Sequence, residues 1–168
     1  MTGKQKDYEK LAQYYDKLAG KFNEIYLAGK DRGREAMNLA LEKAHEHMKS
    51  LGEFSTEQGE QLKQYLARDL DQAIIGAQKL GDKAKDRLHP ARLGAGAISS
   101  LATALELTSH ALHTLSLKTQ ETLTYTTGEM TSAGTLTCLK CGHKMQLKKT
   151  GHVPPCAKCH GTVFSKGY

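Results

Sequence analysis

Apolar residues recur at alternating spacings of three and four in the first part of the chain. This spacing places them on one face of an α-helix and predicts a heptad seam at Tyr8, Leu11, Tyr15, Leu18, Phe22 and Ile25. Beyond Gly29 and Gly33, a second series continues one residue out of phase at Met37, Leu41, Ala44, Met48 and Leu51. The phase change predicts either a kinked helix or a short break with Asp31 as a new N-cap.

A clearer boundary is predicted at Gly52, because glycine commonly follows the last helical residue. Ser55 stands three residues before Gln58, the spacing of a capping box, so a new helix is expected near Ser55. The short connection predicts an antiparallel helical hairpin, and Pro90 is expected to end or bend the second helix. The buried face of that helix is predicted at Leu62, Tyr65, Leu66, Leu70, Ala73, Ile74, Ala77 and Leu80.

The stretch from Ala91 to Leu123 predicts a last helix with very few charges. Between Leu93 and Leu117 the sole charged residue is Glu106, but glycine, histidine and hydroxyl side chains make this segment too polar to span a membrane. Such a helix needs a covering surface, either the heptad seam of the same chain or a second copy in a homodimer. From Thr124 the helical period is lost, and residues 124–133 predict a linker.

All four cysteines fall in the last 31 residues, as two CxxC pairs separated by fourteen residues: Cys138, Cys141, Cys156 and Cys159. Each pair can form a knuckle, a tight turn whose amide groups stabilise thiolates, and two facing knuckles supply the tetrahedral ligand set that Zn²⁺ prefers. The pattern predicts one structural Zn²⁺; free or disulfide-bonded cysteines and an iron or iron–sulfur site are the alternatives. A site closed by four sulfurs leaves no position for water, which favours a structural role over catalysis.

The residues around the cysteines predict a three-stranded β ribbon. Gly142 follows the first knuckle, where a left-handed backbone is commonly needed, and His160 and Gly161 follow the second. Strands are expected over 134–137, 143–149 and 162–165.

The composition favours helices elsewhere. Hydrophobic residues make up 39% of the chain but aromatic residues only 6%, with no tryptophan, so the apolar material is mainly leucine and alanine. We predict a mainly α fold: a long antiparallel helical hairpin or bundle over residues 1–123, a linker over 124–133 and a small three-stranded zinc ribbon over 134–168. The polar N-terminus lacks the apolar core of a signal peptide, which favours a cytoplasmic location.

The net charge of +6 lies entirely in the cysteine-bearing tail. Residues 130–168 contain no acidic side chain, whereas the preceding residues carry equal numbers of basic and acidic ones. The candidate polyanion-binding residues are Lys140, Lys144, Lys148, Lys149, Lys158 and Lys166. The tail has no arginine for reading bases and few aromatics for stacking, so a solvated lysine-rich surface is the equally plain interpretation.

Glu42 and His45 have the ExxH spacing used by di-iron bundles, and Glu106, His110 and His113 share a predicted helix face. Such bundles need a second ExxH pair, which is missing, so these residues are interpreted as polar positions on helix flanks. The sequence contains no nucleophile elbow, P-loop or dinucleotide fingerprint.

Four segments resemble the bacterial zinc ribbon-containing proteins, a family grouped as a domain of unknown function. They are the corner GEFS, the helix YLARDLDQAIIGA, the approach TGEMTSAGTLTC and the paired CxxC motifs ending in GTVF. The resemblance implies a cytoplasmic protein with an N-terminal helical region and a C-terminal ribbon, whose four cysteines are those named above. It implies no activity.

The sequence thus predicts a non-catalytic zinc-binding protein that acts as an adaptor or accessory subunit for a macromolecular partner. The seam and the charge-poor segment predict self-association, with a homodimer through the helices as the candidate. A nucleic-acid or ribonucleoprotein binder is the alternative, and a helical-bundle metalloenzyme the second alternative. We expect no small-molecule substrate and no membrane association.

Overall fold

The computed structural model describes residues 3–31, 33–52, 54–80 and 123–167. Its helices are α1 (Gly3–Ala28), α2 (Arg34–Ser50) and α3 (Thr56–Leu80). Its strands are β1 (Thr124–Thr126), β2 (Met130–Thr131), β3 (Gly134–Cys138), β4 (Lys144–Leu147), β5 (Gly151–His152) and β6 (Val163–Gly167). Pro90, the helix predicted over residues 91–123 and its Glu106, His110 and His113 lie outside the described residues.

The phase change after α1 is a break and not a kink. The N-cap position of α2 is Gly33, with φ 140° and no side-chain hydrogen bond, so the expected capping role of Asp31 is wrong. The Met37 N–H closes the first turn on the Gly33 carbonyl at 3.0 Å. Glycine suits this position because its positive φ is strained for other residues.

The corner between α2 and α3 confirms the predicted capping signals. Gly52 has φ 65°, and its N–H donates to the Lys49 carbonyl at 3.0 Å. The Gln58 N–H donates to Ser55 Oγ at 3.3 Å, and the Ser55 N–H donates to Gln58 Oε1 at 3.4 Å. These reciprocal bonds satisfy backbone donors at the start of α3, which otherwise have no partner within the helix.

The three helices bury one common apolar core. On α1, the seam residues Tyr15, Leu18 and Phe22 are fully buried. The remaining helical members of this core are Ala19, Tyr26, Met37, Ala40, Leu41, Ala44, Met48, Leu62, Leu66, Leu70 and Ile74. The seam is therefore covered within the chain, so it no longer argues for a homodimer, which stays a prediction. Leu51, expected to continue the second series, is 59% exposed because it is the C-cap of α2.

Two ion pairs establish that α2 and α3 run antiparallel. Arg34 at the start of α2 pairs with Asp71 at 2.9 Å, and Glu42 further along pairs with Lys63, earlier in α3, at 3.1 Å. The predicted hairpin is confirmed, with α1 as a third helix packed against it.

The ribbon has more strands than expected. A four-stranded antiparallel sheet has the order β1-β6-β3-β4, and β2 pairs with β5 in a separate two-stranded sheet. The three predicted strands are β3, β4 and β6, so the three-stranded ribbon is corrected to four strands plus two. The described residues accordingly form a mixed helix-and-sheet structure, so the mainly α prediction is confirmed only in its helical part.

Two of the three additional strands, β1 and β2, lie in the predicted linker, and the third, β5, lies within the predicted ribbon. β1 pairs with β6 through Thr124 and Ser165, and β2 pairs with β5 through Met130 and His152. Met130 is 2% exposed and belongs to the helical core, whereas Tyr125 is fully buried in the core of the ribbon. Residues 124–131 are thus built into both cores, which corrects the expectation of a linker; the outer domain boundaries stay a prediction.

None of the described helices has the length and apolar character needed to cross a membrane. The charge-poor stretch from Leu93 to Leu117 falls outside the described residues.

Candidate metal centre

The two CxxC motifs form turns with the same backbone hydrogen bonds. In the first, the Gly142 N–H donates to the Cys138 carbonyl and the Cys138 N–H donates to the His143 carbonyl, both at 2.9 Å. In the second, the His160 N–H donates to the Cys156 carbonyl and the Cys156 N–H donates to the Gly161 carbonyl, again both at 2.9 Å. The residue four positions after the first cysteine has a left-handed backbone in both turns, with φ 71° at Gly142 and 56° at His160.

The four cysteine sulfurs converge between these turns. Their Sγ atoms all lie within 4.8 Å of one another, with 3.6 Å between Cys138 and Cys159 and 3.7 Å between Cys141 and Cys156. A tetrahedron with Zn–S bonds of about 2.3 Å has edges of about 3.8 Å, whereas a disulfide brings sulfurs to about 2 Å. The cysteines are free thiols, and their spacing fits one tetrahedral metal ion.

Thiol chemistry also suits a cation here. Burial favours the neutral thiol of Cys156, but hydrogen bonds from the backbone N–H groups of Cys159 and Lys158 outweigh it and lower its pKa to about 7. The hydrogen bond with the Cys141 thiol raises the pKa of Cys159 to about 12. A divalent ion replaces such shared protons when it binds, because only thiolates are ligands.

Gly161 gives the sulfurs the room they need. A Cβ atom at this position would lie 3.0 Å from Cys138 Sγ and 3.2 Å from Cys159 Sγ. It would also lie 3.3 Å from Cβ of Lys140, a residue of the other knuckle. A larger residue at position 161 would crowd two of the sulfurs and the other knuckle, which favours glycine where the knuckles approach each other.

Among the described residues, the ExxH pair of α2 has no set of ligands around it that could hold a second metal ion. Glu42 points outward to Lys63, whereas the His45 ring is buried and stacks on Phe54 with 6.2 Å between ring centroids. A Cβ atom on Gly59 would lie 2.8 Å from Nε2 of His45, so that ring edge faces helix backbone. Within the described ranges, the four cysteines are the one group of three or more potential ligands close enough to hold an ion.

Five of the six candidate lysines lie on the surface. Exposed positions are occupied by Lys140, Lys144, Lys148, Lys149 and Lys158.

Lys166 is a correction, because it is 4% exposed and its ammonium group is fully buried. Its strand alternates, with Phe164 and Lys166 facing inward and Val163 and Ser165 outward, so the pleat directs Lys166 toward α3. The buried ammonium group is not available to a polyanion.

Lys166 is satisfied by a carboxylate of α3. Its Nζ donates to Oδ2 of Asp69 at 3.2 Å, to Oγ1 of Thr131 at 2.8 Å and to Oγ of Ser132. Oδ2 of Asp69 also accepts from the Tyr15 hydroxyl and the Ser132 N–H, both at 2.8 Å. We call these five residues the buried polar network; it joins α1, α3 and the ribbon.

The ionisation of the pair reflects competing effects. Burial opposes the charge of Asp69, but Lys166 and the hydrogen bonds from Ser132 and Tyr15 outweigh it and lower its pKa. Burial lowers the pKa of Lys166 to about 8, although Asp69 opposes this. The pair thus retains its charges at neutral pH, in a place where ions are costly.

Arg68 forms a second bridge next to the network. It is hydrogen-bonded to the carboxylate of Glu129 and donates to the Met130 carbonyl at 3.1 Å. Its guanidinium lies 3.9 Å from the ring centroid of Tyr125. The same Glu129 carboxylate accepts from the Thr126 N–H at 3.0 Å, so Arg68 ties α3 to the turn between β1 and β2.

Sequence reasoning missed these bridges, although a signal was present. Asp69 lies on the α3 face that also carries Leu62 and Leu66, so it is an acidic side chain on an apolar helix stripe. Lys166 follows Phe164 at a spacing of two, on the inward side of a strand. An acid and a base that are both predicted to face inward, here Asp69 and Lys166, indicate a buried ion pair. This prediction requires that the strand be recognised as far as Lys166.

The chain was also compared with known proteins. A family described as a zinc-ribbon containing domain matches residues 26–167, which include the four cysteines, α2, α3 and all six strands. Neither the curated proteins nor the solved structures gave a match. Because the match covers most of the chain, this protein belongs to the family of zinc-ribbon containing domains.

Proposed function

We propose that this chain is a non-catalytic protein that binds one structural Zn²⁺ and presents its ribbon to a macromolecular partner, as an adaptor or accessory subunit. The observation that carries the proposal is the convergence of four sulfurs into a closed ligand set on a sheet packed against the helices. When bound, Zn²⁺ would cross-link the two knuckles and stabilise a unit too small to bury a large core. A reducing, cytoplasmic location is part of the proposal.

The closed ligand set argues against catalysis at this centre. Catalytic zinc keeps one coordination position for water or substrate, and four cysteine ligands leave none. Glu42 pairs with Lys63 and His45 stacks on Phe54, so their contacts give no support for a metalloenzyme in α2. In this proposal the zinc-bound ribbon provides a surface for binding and not a catalytic centre.

Elemental analysis of the purified chain tests the metal part of the proposal. We expect one zinc per chain and no stoichiometric iron, and we expect Cys138→Ser and Cys156→Ser to lose the metal. Lys140→Gln is the matched control, because it lies between two ligands but leaves all four sulfurs in place. Iron in place of zinc, or zinc that survives both serine substitutions, would refute this assignment.

Affinity capture from a native lysate, with and without nuclease, tests the adaptor part. A protein that is retained after nuclease treatment supports an adaptor. Loss of every captured protein on nuclease treatment would favour the nucleic-acid alternative.

Nucleic-acid binding is the second candidate, because five lysines are exposed in a tail without carboxylates. Contacts with phosphates would make binding fall steeply with salt. We expect glutamine at Lys140, Lys144, Lys148, Lys149 and Lys158 to abolish binding to a poly(U) oligonucleotide and to duplex DNA, measured by fluorescence anisotropy over a salt series. Lys43→Gln with Lys49→Gln, on exposed positions of α2, is the control. Unchanged affinity of the five-lysine variant would eliminate this candidate.

A further inference from the structure

Two aliphatic side chains stand side by side on the outer face of the four-stranded sheet. Cys138 pairs with Phe164, and the next hydrogen bond runs from the Leu139 N–H to the Val163 carbonyl at 3.0 Å. This bond continues the β3–β6 register by one residue beyond the end of β3 at Cys138. Because residues opposite each other on antiparallel strands share a face, we place Leu139 beside Val163, on the side away from the buried Cys138 and Phe164. They are 57% and 39% exposed.

Among the residues that the structure describes, the strand residues on the rest of this face are polar and none is acidic. The register places Thr126 beside Val163 on β1, and it sets Thr137 between Ser165 and Lys144 in the neighbouring row. None of the four strands contains an acidic residue. Lys140 follows Leu139 directly along the chain, and Lys144 lies opposite Thr137, so two exposed lysines are close to the aliphatic pair. We call this surface the knuckle face. It comprises Thr126, Thr137, Leu139, Lys140, Lys144, Val163 and Ser165.

The chemistry of the knuckle face selects among partners. Both aromatic residues of the four strands, Tyr125 and Phe164, are fully buried on the opposite side, so the face has no platform on which bases stack. It also has no arginine for bidentate contacts with bases. Aliphatic and hydroxyl groups bordered by lysines are complementary to a polypeptide with apolar side chains among carboxylates.

We propose that the knuckle face is a docking site for an acidic polypeptide segment whose aliphatic side chains cover Leu139 and Val163. This inference rests on the proposed function and names the kind of partner for it. Burial of the aliphatic pair would supply the attraction at the centre, and Lys140 and Lys144 would select the charge of the segment.

Binding of the zinc-loaded full chain to a labelled peptide of alternating glutamate and leucine or valine tests the proposal by fluorescence anisotropy. A polyglutamate peptide of the same length and a poly(U) oligonucleotide are the comparison probes. We expect the mixed peptide to bind more tightly than polyglutamate, and Leu139→Ser with Val163→Ser to weaken its binding about tenfold or more, as expected for loss of about 1.4 kcal/mol. Leu39→Ser with Leu51→Ser is the matched control, because Leu39 of α2 and Leu51, the C-cap of α2, are 56% and 59% exposed.

Charge is tested separately. Lys140→Gln with Lys144→Gln should weaken peptide binding and flatten its salt dependence, whereas Lys43→Gln with Lys49→Gln should not.

Four results would overturn the proposal. The first is equal binding by the Leu139/Val163 variant and the unmodified chain. The second is tighter binding of the oligonucleotide than of the mixed peptide, with no loss of oligonucleotide binding in the Leu139/Val163 variant. The third is a dimer of the unmodified chain that dissociates in the same variant, because the knuckle face would then be an interface between two copies. The fourth is no peptide binding by protein shown to carry zinc. Zinc content is measured on every variant, so a failure of this inference is distinct from a failure of the zinc assignment.

Discussion

At the scale of single residues, Asp69 is the most heavily bonded side chain of the buried polar network. Its two oxygens accept from Tyr15, Thr131, Ser132 and Lys166 across three elements of the chain. A buried ion pair adds little net stability over an apolar pair of the same shape, but removal of one partner leaves an uncompensated charge. We therefore expect the pair to contribute to the placement of the ribbon on α3 more than to net stability.

Asp69→Asn should lower the free energy of unfolding by about 3 kcal/mol, because it leaves the Lys166 ammonium buried without its counter-ion. Asp71→Asn is the control, since its ion pair with the half-exposed Arg34 should be worth less than about 1 kcal/mol. Urea unfolding at pH 7 measures both. A double variant with Lys166→Met should recover part of the loss, and equal effects of Asp69→Asn and Asp71→Asn would contradict the importance of the buried polar network.

The same pair predicts a dependence of stability on alkaline pH. Burial lowers the pKa of Lys166 to about 8 from 10.5, so between these values the unfolded chain binds the proton and the native chain does not. Free energy of unfolding therefore rises with pH in this window, by up to about 1.4 kcal/mol per pH unit, relative to Lys166→Met. Chemical denaturation of both proteins from pH 7 to 10.5 measures the difference. If the difference in free energy of unfolding between the two proteins stays constant or falls as the pH rises, Lys166 keeps its proton in the native chain.

At the scale of elements, the two knuckles differ in how they meet one conformational requirement. Both need a left-handed residue four positions after the first cysteine, and the first uses Gly142 whereas the second uses His160. A side chain with a Cβ atom is strained there by roughly 1 kcal/mol, while glycine is not. The second knuckle therefore contains a strain that the first lacks.

Replacement of His160 by glycine should raise the free energy of unfolding of the zinc-loaded protein by up to about 1 kcal/mol, because the strain is relieved. Gly142→Ala introduces the same strain in the first knuckle and should lower it by a similar amount. Thermal unfolding at a fixed zinc concentration measures both variants. If both substitutions change the free energy of unfolding in the same direction, strain at the left-handed position does not determine the stability of the knuckles.

The elements with strong local signals could be predicted from the sequence. The capping pair Ser55 and Gln58, the glycine at position 52, the α1 seam and the paired cysteines each act over a few residues, and the structure has them as predicted. Strands β1 and β2 have only three and two residues, too few to show an alternation. They exist because β6 and β5, which are distant in sequence, pair with them. Lys166 lies one residue beyond the strand predicted over 162–165, opposite Leu136 of β3, and its ammonium group contacts Asp69 of α3. Its burial was missed because that contact joins residues far apart in the sequence.

At the scale of the whole molecule, the ribbon and the helices share contacts that no single element explains. Met130 of β2 completes the helical core, the Tyr8 ring of α1 stacks on His152 of β5 at 4.2 Å, and Gln72 of α3 donates to the Lys166 carbonyl at 2.8 Å. Lys166 and Phe164 lie on the strand that pairs with the Cys138 strand. A change at the metal centre is therefore expected to reach α3 through β6.

Removal of the metal should loosen α3 as well as the ribbon. We expect a chelator to accelerate amide exchange around Asp69 by about tenfold, because undocking of β6 opens that part of the helix locally. Amides of α2 near Ala40, on a helix outside the network, should change less. Hydrogen–deuterium exchange with mass spectrometry measures both regions. In Asp69→Asn the zinc dependence at α3 should shrink, and an undiminished effect there would place the coupling elsewhere.

The inward lysine of β6 also bears on how this chain can exchange parts with others over evolutionary time. A ribbon that is transferred to another protein without α3 would expose the Lys166 ammonium group and the apolar side chains around it to solvent. A foreign ribbon placed on these helices would leave Asp69 facing an apolar strand. We therefore expect a recombination point between the helices and the ribbon to give a stable protein only when Asp69 and Lys166 come from the same parent.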